Sequence, residues 1–183
     1  MPRVLVPLAQ GCEELEAVTI IDLLRRAGIE VITAGLAPGL VKASRGTQFM
    51  PDTTLEAALH QDYDMVVLPG GMPGAQHLKD DPRVIGLVQN MAAAGRYTAA
   101  ICAAPTVLGA AGVLSGKTAT GYPGFLEKMH LKDVTLSAEA VVCDGQVITS
   151  RGPGTAMDFA LTLVQILMGV DTRQQVESAL VRA

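Results

Sequence analysis

Short apolar runs alternate along this chain with segments of helical period, and the alternation predicts the architecture before any single residue is weighed. Arg3–Leu8 (RVLVPL) is an almost unbroken apolar run of the kind buried on both faces of a parallel sheet, closed by Gln10-Gly11. Glu13-Glu14-Leu15-Glu16 then opens a helix whose apolar face is Ala17, Ile20, Ile21, Leu24 and Ala27, with Gly28 as its stop. Residues 29–35 (IEVITAG) return to strand character and complete a strand–helix–strand unit, which brings parallel pairing and a right-handed crossover with it. Residues 40–51 follow Pro38-Gly39 and predict a short hairpin at the sheet edge, after which Thr53-Thr54 caps a short helix over 55–59.

The pattern repeats in the second half. Residues 64–68 (DMVVL) form another buried strand, followed at once by Pro69-Gly70-Gly71, and Asp81-Pro82 starts a helix carrying Val84, Ile85, Leu87, Val88 and Met91 up to Gly95. Residues 99–106 (AAICAAPT) run apolar to Cys102, continue with side chains of low bulk and return to helical composition through Ala111. They predict strand, sharp turn and helix, with Cys102 at the turn. Residues 117–120 are a short extended piece, and 134–137, 140–143 and 146–149 are further strands, the last two joined by the hairpin signal Asp144-Gly145. The glycine-rich loop 150–155 starts a helix bearing Ala156, Phe159, Ala160, Leu163, Val164 and Leu167; Gly169 and Asp171 separate a final helix reaching Leu180. With no internal repeat or linker, residues 1–183 are expected to be one layered α/β/α domain with a mainly parallel sheet.

Composition narrows the function classes. Hydrophobic residues make up 49% of the 183 positions and charged ones 17%, with aromatics at 3% and no tryptophan, so an aliphatic and methionine core replaces an aromatic one and disorder is excluded. The net charge of -4 and a pI near 5.3 leave no dedicated nucleic-acid-binding patch. No run approaches the ~18 apolar residues of a membrane span. Met1-Pro2-Arg3 leads straight into a strand without signal-peptide architecture, and the chain is read as cytoplasmic. Cysteines at positions 12, 102 and 143 match no metal-ligand spacing and leave an odd thiol, which fits a reducing compartment.

Cys102 is the candidate nucleophile. A sharp turn at the carboxyl edge of a sheet exposes a side chain on strained backbone, and amides at the start of the following helix would lower its pKa below the free value of ~8.5. The alternative is a buried cysteine acting as a small hydrophobe. Glu13 and Glu14 read as N-terminal charges complementing the helix dipole, whereas Glu16 sits one turn in, beyond the carboxyl end of the first strand, where open α/β sheets bind ligands. The amide of Gly71 is a candidate anion donor, although a tight turn explains Gly70-Gly71 equally well. Neither GxGxxG nor a Walker pattern is present, so dinucleotide and NTP sites are not expected. His60 and His77 are not expected to be ligands. Cys12 is expected to be a buried loop side chain, with a resolving thiol as the other reading, and Cys143 is expected in the core.

Four segments carry a family resemblance: GCEELEAV (11–18), LPGG (68–71), AAICAAPT (99–106) and TSRGPGTAMDFA (149–160). In this order they resemble the motifs of the ThiJ/PfpI superfamily, within it the branch of the parkinsonism-associated DJ-one protein and its bacterial relatives. The resemblance implies a flavodoxin-like three-layer α/β/α sandwich, a homodimer and a nucleophilic Cys102. It further implies a neighbouring protonated Glu16 and an anion pocket from the amides of Gly71 and Ala103, with no metal or organic cofactor. Arg26, Arg45 and Arg151 match family arginines near the pocket or the dimer contact, and the first helix, carrying Glu16 and Arg26, is expected in the dimer surface. Two departures matter. Ala103 stands where protease-like members have histidine, which removes support for peptide hydrolysis. Tyr122 stands where some relatives have a histidine before proline, which throws acid–base work onto Glu16. The resemblance implies detoxification of α-oxoaldehydes: a glutathione-independent glyoxalase turning methylglyoxal or glyoxal into a 2-hydroxy acid, and a deglycase of glycated amino groups. The other implied class is a redox sensor or chaperone-like protein in which Cys102 is oxidised to sulfinate.

Overall fold

The computed structural model describes residues 1–182. In chain order the elements are β1 (Arg3–Leu8), α1 (Glu14–Arg26), β2 (Glu30–Gly35), β3 (Val41–Lys42), β4 (Gln48–Phe49), β5 (Thr53–Thr54), α2 (Leu55–Ala58), β6 (Met65–Leu68), α3 (Gly74–Asp80), α4 (Pro82–Ala93), β7 (Tyr97–Ile101) and α5 (Pro105–Ala110). They continue with β8 (Thr118–Ala119), β9 (Thr135–Leu136), β10 (Val141–Asp144), β11 (Val147–Ser150), α6 (Ala156–Met168) and α7 (Val170–Ala179).

Seven strands form the central sheet in the order β10-β11-β7-β6-β1-β2-β5, parallel except for the β10–β11 hairpin. Its five principal parallel strands, numbered by their place in the chain, lie 2-1-3-4-5, which is the flavodoxin-like order. The chain builds outward from β1 to β2, then returns to the other side of β1 with β6. Connections therefore diverge between β1 and β6 and leave a crevice at the carboxyl edge there. Burial explains the strand sequences: Val4, Leu5, Val6, Met65, Val66, Val67, Leu68, Ala99, Ala100 and Ile101 are inaccessible to solvent because helices cover both faces. Polar matches fix the edges, as where Arg3 pairs with Glu30 at 2.9 Å across β1 and β2, in register with one another.

Helices α1 and α6 pack together on one face, with α7 against α6, while α3, α4 and α5 cover the other. The buried stripe of α1 is Ala17, Ile20, Leu23 and Leu24, together with Glu16, so Ile21 turns partly outward and Leu23 takes its place. Asp81 caps α4 through a bond from the Arg83 amide, as the Asp-Pro start leads one to expect.

Two local expectations need correction, and two features of the fold are unanticipated. The 40–51 segment does form a hairpin, β3–β4, but as its own two-stranded sheet; the sheet edge is taken by β5 instead. Residues 74–80 form α3, which the Gly-Met-Pro-Gly run conceals. The extended pieces near 118 and 135 pair with each other as β8–β9 rather than joining the main sheet. Cys143, expected in the core, is exposed, because on the edge strand β10 Val142 faces inward and its neighbour faces out.

Candidate functional site

The carboxyl ends of β1, β6 and β7 bring Glu16, Gly70-Gly71 and Cys102 together. Cys102 has φ 65°, left-handed backbone that a residue with a Cβ adopts only when its surroundings impose it. Both sides of the residue are held: its amide donates to Ser150 O at 3.0 Å, and its carbonyl accepts from the Tyr122 amide at 2.7 Å. The following turn is closed by Ala104 N to Ile101 O and by the Thr106 hydroxyl to Ala103 O at 2.7 Å. The sharp bend predicted from AAICAAPT is therefore present, with α5 beginning three residues further on.

Glu16 has no solvent-exposed surface. Its Oε2 accepts from the Gly70 amide at 2.8 Å, and its Oε1 is buried without a hydrogen-bond partner. Among the described residues no cation pairs with the carboxylate. The group it meets is the Cys102 thiol, and the two side chains shift each other's titration. Burial pushes the Glu16 carboxyl up to about 7, against bonds from Gly70 and Cys102 that favour the ionised form.

Burial likewise pushes the Cys102 thiol up to about 12, with the charge of Glu16 acting in the same sense and the amides of Gly71 and Ala103 pulling it down. The expected drop below ~8.5 is therefore overturned, since desolvation and an adjacent carboxylate outweigh the amide of Gly71 after β6 and that of Ala103 ahead of α5. The contribution of Glu16 exists only while it is ionised. With a proton on Glu16 the repulsion disappears and its O–H can donate to sulfur, so the two groups form a proton-sharing pair rather than two independent acids. The amides of Gly71 and Ala103 both favour the thiolate form of this sulfur.

Gly70 holds the pair together sterically. A Cβ there would stand 2.5 Å from Cys102 Cβ, 2.7 Å from Glu16 Oε2 and 2.8 Å from Ile101 O. Gly70→Ala should lower stability by about 1–3 kcal/mol, the usual cost of overpacking. It should also separate acid from thiol, seen as a changed pH dependence of Cys102 alkylation alongside urea unfolding. An unaltered urea midpoint would show that the contact yields freely.

Cys102 is 8% exposed and opens into a cavity of about 360 Å³ lined among others by Arg45, Gly71, Ala103, Tyr122 and Phe125. Tyr122, 47% exposed, packs edge-on against Phe125 and forms one wall. Glu13, read from sequence as a solvated charge, caps α1 by accepting from the Glu16 amide at 3.0 Å and also lines the cavity. Arg151 lies in the neighbouring cavity with Tyr122 and donates to Ala138 O. Arg26 is away from the cavity on the surface of α1, paired with Asp22 at 2.7 Å. Cys12 is buried, and burial raises its thiol to about 12, ahead of the charge of Glu14. His60, His77 and His130 are all exposed and none lines the cavity. Among the described residues no group of three His, Cys, Asp or Glu side chains is placed to hold a metal ion. No helix among them is long and apolar enough to cross a membrane.

Residues 2–166 match the DJ-1/PfpI family. The chain belongs to that family. It is 47% identical over 182 residues to the Parkinson disease protein 7 homolog of Danio rerio, covering 98% of this chain and 96% of the relative. The crystal structure of Drosophila melanogaster DJ-1beta superposes with a TM-score of 0.95 at 43% identity, covering 100% of this chain and 98% of that one. The DJ-1/PfpI family also includes the glutathione-independent glyoxalase DJR-1.2 of Caenorhabditis elegans, 35% identical over 160 residues, or 87% of this chain and 85% of that protein. The flavodoxin-like fold expected from the four motifs is thereby established, and the family contains enzymes of glyoxalase type.

Proposed function

We propose that this DJ-1/PfpI protein converts α-oxoaldehydes such as methylglyoxal and glyoxal into 2-hydroxy acids without glutathione, using Cys102 as nucleophile and Glu16 as proton shuttle. The observation that carries the reading is the Glu16 carboxyl, buried without a cation and set against a cavity-lining thiol. Such an arrangement is costly to fold and serves chemistry that needs an acid and a base in turn.

The steps balance as an internal redox isomerisation. The thiol proton passes to Glu16, and the thiolate adds to the aldehyde carbon, forming a C–S bond. The resulting alkoxide takes the proton from Glu16, giving a hemithioacetal and a carboxylate. That carboxylate removes the hydrogen of the former aldehyde carbon as a proton, leaving an enediolate; the hydroxyl proton of the former aldehyde carbon passes to the neighbouring oxygen, and Glu16 returns its proton to the adjacent carbon. The aldehyde carbon is thus oxidised to a thioester while the ketone is reduced to an alcohol. Water cleaves the thioester, releasing the 2-hydroxy acid and restoring the thiol. The amides of Gly71 and Ala103 support the thiolate and the oxygen that develops beside it.

Deglycase action follows from the same site, since consuming free aldehyde also reverses its early adducts with amino groups. The active form is a homodimer in the cytoplasm, with Leu15 and Val18, both about half exposed on α1, in the contact. The deciding experiment incubates purified protein with methylglyoxal, free of glutathione, and follows lactate by proton NMR. Sustained lactate formation supports the reading. Absence of lactate, with peroxide converting Cys102 quantitatively to sulfinate, would overturn it in favour of a redox sensor.

A further inference from the structure

Glu14 has no place in the proton chemistry, yet its carboxylate is one of the most heavily bonded acceptors in the molecule. It accepts the Arg45 amide on both oxygens at 3.0 Å, the Thr47 amide at 3.4 Å and the Ser44 hydroxyl at 3.2 Å. All three donors belong to the tip of the β3–β4 hairpin. These bonds outweigh the partial burial of the carboxyl and hold it below the usual carboxylate range.

The base of the hairpin is tied separately. Gly11 N donates to Lys42 O at 2.8 Å and the Gln10 side chain bonds Leu40 O and Lys42 N, while Ser44, where the tip begins, also donates its amide to Cys12 O. Glu14 therefore holds the tip beyond Ser44, at Arg45 and Thr47. That tip carries Ser44 and Arg45 to the rim of the Cys102 cavity. Among the described residues the Arg45 guanidinium has no ion pair and no side-chain hydrogen bond, although its own backbone is fixed. Glu14 is occupied by hairpin donors, and Glu13, which lines the same cavity as Arg45, by the N-terminus of α1. An unpaired cation on an anchored tip, at the mouth of a nucleophile's cavity, is an element of selection.

We infer that Glu14 is a positioning residue that fixes the hairpin tip so that Arg45 stands over the thiol cavity and favours reactants carrying a negative charge. Resting on the reading above, the favoured substrates are α-oxoaldehydes bearing a carboxylate or phosphate substituent. One unit charge a few ångströms away in a wet cleft changes the rate by about fivefold, and added salt reduces the effect.

The test uses Cys102 alkylation, which needs no turnover. Rates with anionic iodoacetate and neutral iodoacetamide are compared at Cys102 by peptide mass spectrometry, which separates it from Cys12 and Cys143. The ratio of iodoacetate to iodoacetamide rates should fall about fivefold in Arg45→Ala and fall by a similar factor in Glu14→Gln, in which Arg45 is intact. Glu14→Gln should retain its fold through the ties at the hairpin base, and trypsin should then cut after Arg45 faster than in the wild type. An unchanged ratio in Arg45→Ala overturns the charge selection. Wild-type ratio and protection in Glu14→Gln overturn the positioning role. The parallel enzyme assay compares methylglyoxal with 4-carboxyphenylglyoxal. If neither is turned over while the alkylation ratios shift as described, the oxoaldehyde reading fails and the positioning role stands.

Discussion

Cys102→Ser should reduce lactate formation from methylglyoxal to below about a thousandth of the wild-type rate, and Glu16→Gln should reduce it by about 10²- to 10⁴-fold. The two losses have different causes, and one further measurement separates them. Serine lacks an acid strong enough to ionise within the pair, so both alkylation and turnover stop. Glutamine keeps the geometry: its amide oxygen can accept from Gly70 N, as Glu16 Oε2 does at 2.8 Å, and its NH₂ can donate to sulfur. What it cannot do is carry a proton between carbons. It also removes the carboxylate whose charge raises the thiol. Iodoacetamide should therefore modify Cys102 of Glu16→Gln faster than the wild-type thiol at pH 8, while lactate production falls. Greater reactivity with less turnover is the signature of a shuttle. If reactivity and turnover fell together, Glu16 would merely be shaping the cavity. In the wild type, kcat/KM should rise with pH up to about 7, where the pair loses its first proton and becomes competent, and then level off.

The sequence made the sheet legible because burial on both faces leaves no room for polar residues. The runs at 3–8, 64–68 and 99–101 are largely apolar for that reason, and the glycines at 70 and 71 mark where a strand ends close to other backbone. Cys102 was legible as a thiol at a bend, and Glu16 from its place one turn into α1 beyond the carboxyl end of β1, with its role as a protonated partner supplied by the family resemblance. The titration of the pair was not legible. It depends on the balance between two amides and a mutual desolvation, which is set by the 54-residue separation between Glu16 and its Gly70 partner. The role of Glu14 was hidden in the same way. An acidic residue in a first turn has an adequate local explanation in the helix dipole, and only the folded chain shows the hairpin tip arriving over it. Helix α3 was concealed by a start rich in glycine and proline that local propensity assigns to a turn.

Glu16→Gln should also make the protein more stable at pH 8 while leaving its stability near pH 4.5 almost unchanged. The folded carboxyl titrates at about 7 against a reference of 4.5. Below the reference value both folded and unfolded chains hold the proton, and burial of the neutral acid carries no ionisation penalty. Between the two values the unfolded chain releases its proton and the native one keeps it, so native stability falls as pH rises. Above about 7 both states are ionised and the penalty is constant, at roughly 3 kcal/mol for this separation. Glutamine, neutral throughout, avoids the penalty. Carboxylates such as Asp52 and Asp81, held below their usual range, favour folding with the opposite pH sense, but they are common to both proteins and cancel in the difference. Urea unfolding of wild type and variant at pH 5 and pH 8 measures it directly, and the gap should widen towards pH 8 by about 2–3 kcal/mol, equivalent to a Tm rise of roughly 4–12 °C. A pH-independent gap would mean that the native carboxyl titrates as in the unfolded chain, removing the basis for its use as an acid near neutrality. A widening gap, together with the loss of turnover, would show that this fold gives up stability at the position where its chemistry needs a carboxyl that can hold and release a proton.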